Sequence, residues 1–334
     1  MERVTHVCDS DHLEWNESYY LAFYSKDNKI GGVSRIGFKP NKQEGMSFFF
    51  LFLPDGSAAV YHHEEKILDY LKLPPVGNTS HTCQKDGIWN YEFQGKMLFL
   101  KNPEDLPKIR EKSKLTLLSM LLRRKLYKQR VTLKLTFSPI NDVYEYSEFM
   151  TPESLELGKK AGDKHWEQIA HITGEIQIGK NKKFLIENTI GQRDHTYGIR
   201  DWTGVGDWLY YVIWFNDNLA INPAAIIADD GRLSTGGFLF KDGKNIPLKT
   251  IRVLNQQFRD DGVLPVSSEL EIIDFTGAKH ILKAKVGPIV PVPFEDNEGN
   301  KSILVQAFGS FELDDITGGY GTYETLRKEE QIQF

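Results

Sequence analysis

Turn chemistry constrains this chain more than any other feature. Asp55-Gly56, Asp86-Gly87, Asp230-Gly231, Asp242-Gly243 and Glu298-Gly299 each stand between short apolar or alternating stretches. A tight antiparallel hairpin needs φ > 0 in its loop, and Gly and Asp supply that at least cost. The stretches include Tyr19 to Tyr24, Met46 to Leu53, Ala58 to Tyr61, Val131 to Phe137, His171 to Ile178 and Lys183 to Glu187. Trp208 to Phe215, Gly236 to Phe240, Ile281 to Val286 and Ile303 to Phe308 continue the series. Strands and turns spread so evenly over 334 residues predict an all-β protein of meanders, folded as sandwiches or barrels. An aromatic share of 12% suits strands and large apolar interiors.

Two segments depart from this pattern. Glu64 to Leu71 reads as a short helix stopped by Pro74-Pro75. Residues 103–130 read as a helical insertion with Leu115, Leu117, Leu118, Met120, Leu121 and Leu122, followed by Arg123-Arg124-Lys125. Ten Lys/Arg against three Asp/Glu in residues 101–130 leave two readings open. The leucines pack on the barrel, or the basic amphipathic segment touches a membrane or guards a cavity mouth. A polar, helix-leaning stretch from Thr151 to Lys164 is the natural divide, giving domains at 1–160 and 161–334.

Several function classes fall away. A net charge of −5 gives no global argument for nucleic-acid binding. Cys8 and Cys83, the only cysteines, make neither a disulfide framework nor a Cys-rich zinc site. The N-terminal residues lack a signal-peptide core, and no apolar run reaches the ~20 residues of a membrane span. The expectation is a cytoplasmic protein, membrane-peripheral if the basic segment touches lipid. His62-His63-Glu64-Glu65 lacks the His-Glu-x-x-His spacing, Gly318-Gly319-Tyr320-Gly321 is not a phosphate loop, and no dinucleotide fingerprint or nucleophile elbow is present. The sequence calls for no metal and no cofactor.

Polar side chains are densest from Gly191 to Trp202: two Arg/Asp pairs, a histidine, a tyrosine and a tryptophan between strand-like segments. In a strand, alternation puts Arg193, His195 and Tyr197 on one face and Gln192, Asp194 and Thr196 on the other. Asp194 and His195 therefore point apart, and His195 with Tyr197 is the candidate acid–base pair. Asp201-Trp202 and Asp207-Trp208 repeat at a spacing of six. Trp208 and Tyr210 share one strand face, Tyr211 the other, and either is aromatic enough to line a pocket with Trp166. Arg193, Arg200 and Asp201 read as a frame, and Glu167 and Gln168 as ties to backbone groups.

These residues carry a resemblance. Trp166-Glu167-Gln168, Gly174-Glu175-Ile176 and Arg193-Asp194-His195-Thr196-Tyr197-Gly198-Ile199-Arg200-Asp201-Trp202 resemble the carotenoid hydratase (hydroxyneurosporene synthase)-like and AttH-like group. Glu17-Ser18-Tyr19-Tyr20, Arg35-Ile36-Gly37 and Gly319-Tyr320-Gly321-x-x-Glu324 fit it too. The resemblance implies two tandem lipocalin-like β-barrels, and chemistry of the hydratase or pericyclase kind. The group's His-x-Trp pair falls on His195 and Tyr197, with Tyr in place of Trp. A later Tyr/Asp pair is matched by Asp207 with Tyr210 or Tyr211.

The expected function is acid-assisted alkene hydration or dehydration, isomerisation or cyclisation of an apolar isoprenoid, terpenoid or polyketide-like molecule. Asp207 is the expected acid, with Asp194 the weaker candidate, and His195 positions water. Tyr197, Trp202 and Trp208 face the cation. The rival readings are a non-catalytic lipid or isoprenoid carrier and a pericyclase.

Overall fold

The protein is described by a computed structural model covering residues 4–107, 125–204, 206–228, 231–296 and 298–328. Strands come first: β1 (Trp15–Ser25), β2 (Ile30–Lys39), β3 (Glu44–Phe52), β4 (Ala58–Lys66), β5 (Thr79–Cys83), β6 (Trp89–Leu100), β7 (Leu126–Pro139) and β8 (Tyr144–Glu145). A helix, α1 (Pro152–Gly158), follows. Then come β9 (Lys164–Ile178), β10 (Lys182–Ile199), β11 (Asp207–Asn216), β12 (Leu219–Ile227) and β13 (Leu233–Lys241). The last are β14 (Lys244–Phe258), β15 (Pro265–Asp274), β16 (Lys279–Glu295), β17 (Lys301–Leu313) and β18 (Ile316–Lys328). The fold is all-β, as the turn chemistry predicts. Asp242 and Gly243 show how: both have positive φ, 50° and 78°, and they form the two-residue loop between paired Lys241 and Lys244. α1 starts where Thr151 Oγ1 accepts the Ser154 N–H at 3.1 Å, with Pro152 in its first turn.

The chain forms two compact units: Met1–Val143 with His165–Ile199, and Tyr144–Lys164 with Arg200–Phe334. In the first, β10, β1, β2, β3, β4, β6, β7 and β9 are successive hydrogen-bonded neighbours, and β9 also pairs with β10, so eight strands form a ring. Its core takes alternate residues: Trp15, Tyr19, Leu21 and Phe23 of β1; Ile30, Ile36 and Phe38 of β2; Phe49 and Leu51 of β3. The second unit is a closed barrel of β11 to β18 in sequence order. Leu209, Tyr211 and Ile213 lie in its core. Alternation puts Trp208, Tyr210, Val212 and Trp214 on the other face, where they too are buried.

The structure redraws several boundaries. The divide expected at 160/161, with the Arg193–Trp202 motif in the second half, differs from these units. Most of the motif lies on β10, which pairs with β1 from Trp15 to Tyr24, so the chain returns to its first ring before entering the second barrel. Glu64 to Lys66 ends β4, and Tyr70–Lys72 is a single 3₁₀ turn rather than part of a helix. Of the insertion at 103–130, Pro103–Asp105 is a 3₁₀ turn, Leu106 and Pro107 are helical, and Leu126–Arg130 is already strand β7. Its leucine-rich part falls within 108–124, outside the described residues. Among the described residues no helix is long and apolar enough to cross a membrane.

Gly174 marks a backbone crossing that no other residue fits. Its φ is 141°, and a Cβ there would lie 2.0 Å from Lys134 O on the neighbouring strand. Gly174→Ala is expected to cost about 1–3 kcal/mol or more, read as a lower urea midpoint by tryptophan fluorescence.

Candidate active site

The site grows from the register between β1 and β10. Glu17 stands opposite Tyr197 and Tyr19 opposite His195, so Glu17 and His195 are diagonal neighbours on the core face. Their contact is direct: His195 Nε2 lies 3.0 Å from Glu17 Oε1, and both side chains are fully buried. The segment before β1 folds over this end of the ring and adds His6. Its Nδ1 is 2.8 Å from Glu17 Oε1, and its backbone N–H donates to Oε1 and Oε2 at 2.9 and 3.1 Å.

Aromatic rings enclose the three groups. His195 stacks on Tyr19 at 4.5 Å between centroids and lies 5.2 Å from Trp166. The His6 ring is parallel to Trp166 within 6° at 5.3 Å, and 4.3 Å from Tyr197. Trp15 stacks beyond Tyr197 and meets Tyr70 edge-on. Hydroxyls fasten the segment: Tyr19 Oη donates to Val4 O, while Tyr70 Oη donates to His6 O and accepts the Cys8 N–H, both at 2.8 Å. Burial pushes the Tyr70 phenol up to about 12. Burial also raises the Glu17 carboxyl, but hydrogen bonds from His195 and His6 outweigh it and hold Glu17 below the ordinary carboxylate range.

The other faces of β9 and β10 carry a second cluster. His165 Nε2 lies 2.8 Å from Glu167 Oε1 and 3.1 Å from Asp194 Oδ2. Gln192 donates to Glu167 Oε2, and Thr196 Oγ1 donates to Asp194 Oδ1 at 3.2 Å. Burial opposes charge on His165, but the Asp194 and Glu167 carboxylates prevail and raise it to about 10. Alternation thus separates Asp194 from His195, as the sequence predicts, and gives each its own partner. On the ring side, Arg193 Nε donates to Gln168 Oε1 at 3.0 Å and its guanidinium lies over Trp89. Gln168 is itself tied to Asn141 O at 2.8 Å.

His195, Tyr197 and Trp166 therefore meet in the first unit, which also holds Asp194, Arg193, Glu167 and Gln168, whereas Arg200, Asp201, Trp202, Asp207, Trp208, Tyr210 and Tyr211 belong to the second. There Asp207 accepts the Lys328 N–H at 3.0 Å and faces Arg327 Nε at 3.7 Å. Trp202 stacks on Phe294 and touches Trp208, and Arg200 covers both indoles. Trp208 Nε1 donates to Glu324 at 3.0 Å. Asp201 caps a turn through the Gly204 N–H, and Arg200 donates to Ala161 O. Tyr210 is buried, and Tyr211 stacks on Tyr323 inside the barrel, bonded to Ser268. Glu17 and His6 are the functional candidates that sequence reasoning passed over. Glu17 had a signal, an acid at odd parity among Trp15, Tyr19, Leu21 and Phe23. His6 had none, because its segment is irregular.

With this geometry in view, the family is clear. The chain belongs to the family described as domain of unknown function DUF7064, which matches residues 2–329. None of the curated proteins is similar to it in sequence. Solved structures share its fold. A Nitrosomonas europaea protein assigned by resemblance to AttH superposes with a TM-score of 0.60 at 11% identity, over 93% of this chain and 92% of that one. Kievitone hydratase from Nectria haematococca gives 0.55 at 11%, over 93% and 88%. CghA gives 0.54 at 10%, over 94% and 88%, and has also been solved with Sch210972.

The His165 cluster has a pH signature. A histidine raised from 6.5 to about 10 contributes stability that is complete below pH 6.5 and is lost as pH climbs toward 10. Urea melts across that range should show the decline in the wild type and its absence in His165→Gln. Glu17, held low, works in the opposite direction. Its contribution is present above its ordinary value of 4.5 and is lost as the pH falls below it.

Proposed function

We propose that this chain is an enzyme of the hydratase or cyclase kind, acting on an apolar small molecule at the Glu17–His195 end of the first ring. One observation carries the reading: a fully buried carboxylate–imidazole pair set among the rings of Trp15, Tyr19, Trp166 and Tyr197. A carrier needs only apolar walls, and burying a carboxylate there costs free energy that ligand binding does not recover. A proton-transfer site needs both the pair and a dry surrounding. The kinship of fold with kievitone hydratase supports the same class of chemistry.

The ligand takes the place that the His6 ring now holds, between Trp166 and Tyr197, with the N-terminal segment drawn aside. The proton shared by Glu17 and His195 passes to one alkene carbon, and the positive charge develops on its neighbour. Trp166 and Tyr197 face that cation, each worth on the order of 1–2 kcal/mol in a desolvated site. Water adds to the cation and returns a proton to the pair, so hydration consumes no acid. Deprotonation of the same cation instead gives isomerisation, and attack by a second alkene, followed by loss of a proton from the new cation to the pair, gives cyclisation. The proton donor expected at Asp207 becomes the Glu17–His195 pair, with the proton carried on the imidazole and Glu17 as its carboxylate partner, because Asp207 sits in the second unit against Arg327. The cation-facing walls move from Trp202 and Trp208 to Trp166.

The substrate is to be found by mass spectrometry of an organic extract of the purified protein, and turnover followed as gain or loss of one water or as an isomer. Glu17→Gln and His195→Ala are each expected to lower kcat/KM by about 10²–10⁴-fold, with Asp207→Asn close to wild type. Full turnover in the first two variants would sink the proposal.

A further inference from the structure

Glu17 is an anion in an unusual place. Its side chain is fully buried, and its partners are two imidazoles and one N–H, with no lysine or arginine among the described residues pairing with it. A buried carboxylate faced only by imidazoles is costly unless one of the rings carries a proton or a cation joins them. The nitrogens that approach it are ring atoms, His6 Nδ1 and His195 Nε2, both aimed at the same oxygen.

We propose that His6 Nδ1, His195 Nε2 and Glu17 Oε1 form a binding site for a divalent transition-metal ion, Zn²⁺ above all. Two imidazoles and one carboxylate are a donor set that zinc, cobalt and ferrous iron favour. The three atoms lie within 4.8 Å of one another, with Glu17 Oε1 at 2.8 and 3.0 Å from the two nitrogens. Tetrahedral zinc with bonds of about 2.0–2.1 Å sets its donors ~3.3 Å apart, so Glu17 Oε1 draws back from each nitrogen by a few tenths of an ångström to admit it. The rings are already aimed: Tyr19 backs His195, Trp166 and Tyr197 hold His6, and the His6 N–H steadies Glu17 Oε2. Such outer contacts fix the orientation of metal ligands. A fourth position is left for water. No motif announces this site, because its ligands come from an irregular segment and from strands 178 residues apart.

Because His6 is one ligand, the ion fastens the N-terminal segment across the aromatic box and keeps out the ligand proposed above. That second effect rests on the proposed function; metal binding itself does not. The test uses the whole chain, free of any affinity tag, stripped with a chelator and titrated calorimetrically with Zn²⁺. Co²⁺ serves as the optical probe. One ion per chain is expected, with visible Co²⁺ absorption of low-symmetry type. His6→Ala should weaken Zn²⁺ by at least about tenfold and abolish that absorption, while a His62→Ala/His63→Ala double variant at the exposed pair binds as wild type. His6 lies outside the strands, so its loss leaves the ring to fold even where His195→Ala does not. Equal binding by wild type and His6→Ala, or loss of binding in the double variant, overturns the site. Zn²⁺ binding with unchanged turnover of metal-free Glu17→Gln would sink the proposed function and leave the metal site standing. Turnover lost in metal-free Glu17→Gln, with no Zn²⁺ bound by wild type, does the reverse.

Discussion

The pairing of β1 with β10 is the contact on which the first unit depends. It joins residues near 15–24 to residues near 190–199 and closes the ring. The chain enters the second unit at Tyr144–Lys164 before this pairing forms. A contact of such sequence separation carries a large loop-closure cost and belongs late in folding. The site therefore exists only once the ring is closed, since Glu17 arrives with one strand and His195 with the other. Local structure such as the Asp242-Gly243 hairpin needs no such event.

Alternation made much of this readable from the chain. Strand parity separates His195 and Tyr197 from Asp194, and the Asp-Gly turns mark the hairpins of both units. What it could not supply was partnership across strands far apart in sequence. Asp207 reads as the acid through the later Tyr/Asp pair of the resemblance, and its partners in the structure, Arg327 and Lys328, come from the far end of the chain. Trp202 and Trp208 read as pocket walls from the repeated Asp-Trp pair, and in the structure they meet each other, with Phe294 stacked on Trp202. Glu17 was quoted for its resemblance rather than for its place on an otherwise apolar strand face. His6 lies where neither periodicity nor propensity applies, so only coordinates could place it.

The two faces of β10 treat buried charge differently. On one, the raised His165 supplies a cation to two carboxylates whose outer oxygens are held by Gln192 and Thr196. That network is saturated, and its chemistry is that of a fastener. On the other, Glu17 meets the rings of His6 and His195, within half-buried aromatic walls at Trp166 and Tyr197. The contrast sets a closed ion-pair network on one face and the Glu17–His195 pair on the other, on strands only one residue thick.

That thinness governs which genetic changes β10 can tolerate. Point substitutions act on one face at a time. A single-codon insertion or deletion between Gln192 and His195 would turn the strand over beyond it, putting acid where the imidazole belongs and imidazole where the acid belongs. Length variation among relatives should therefore gather in the loops before Lys182 and after Ile199, leaving the intervening strand constant in length.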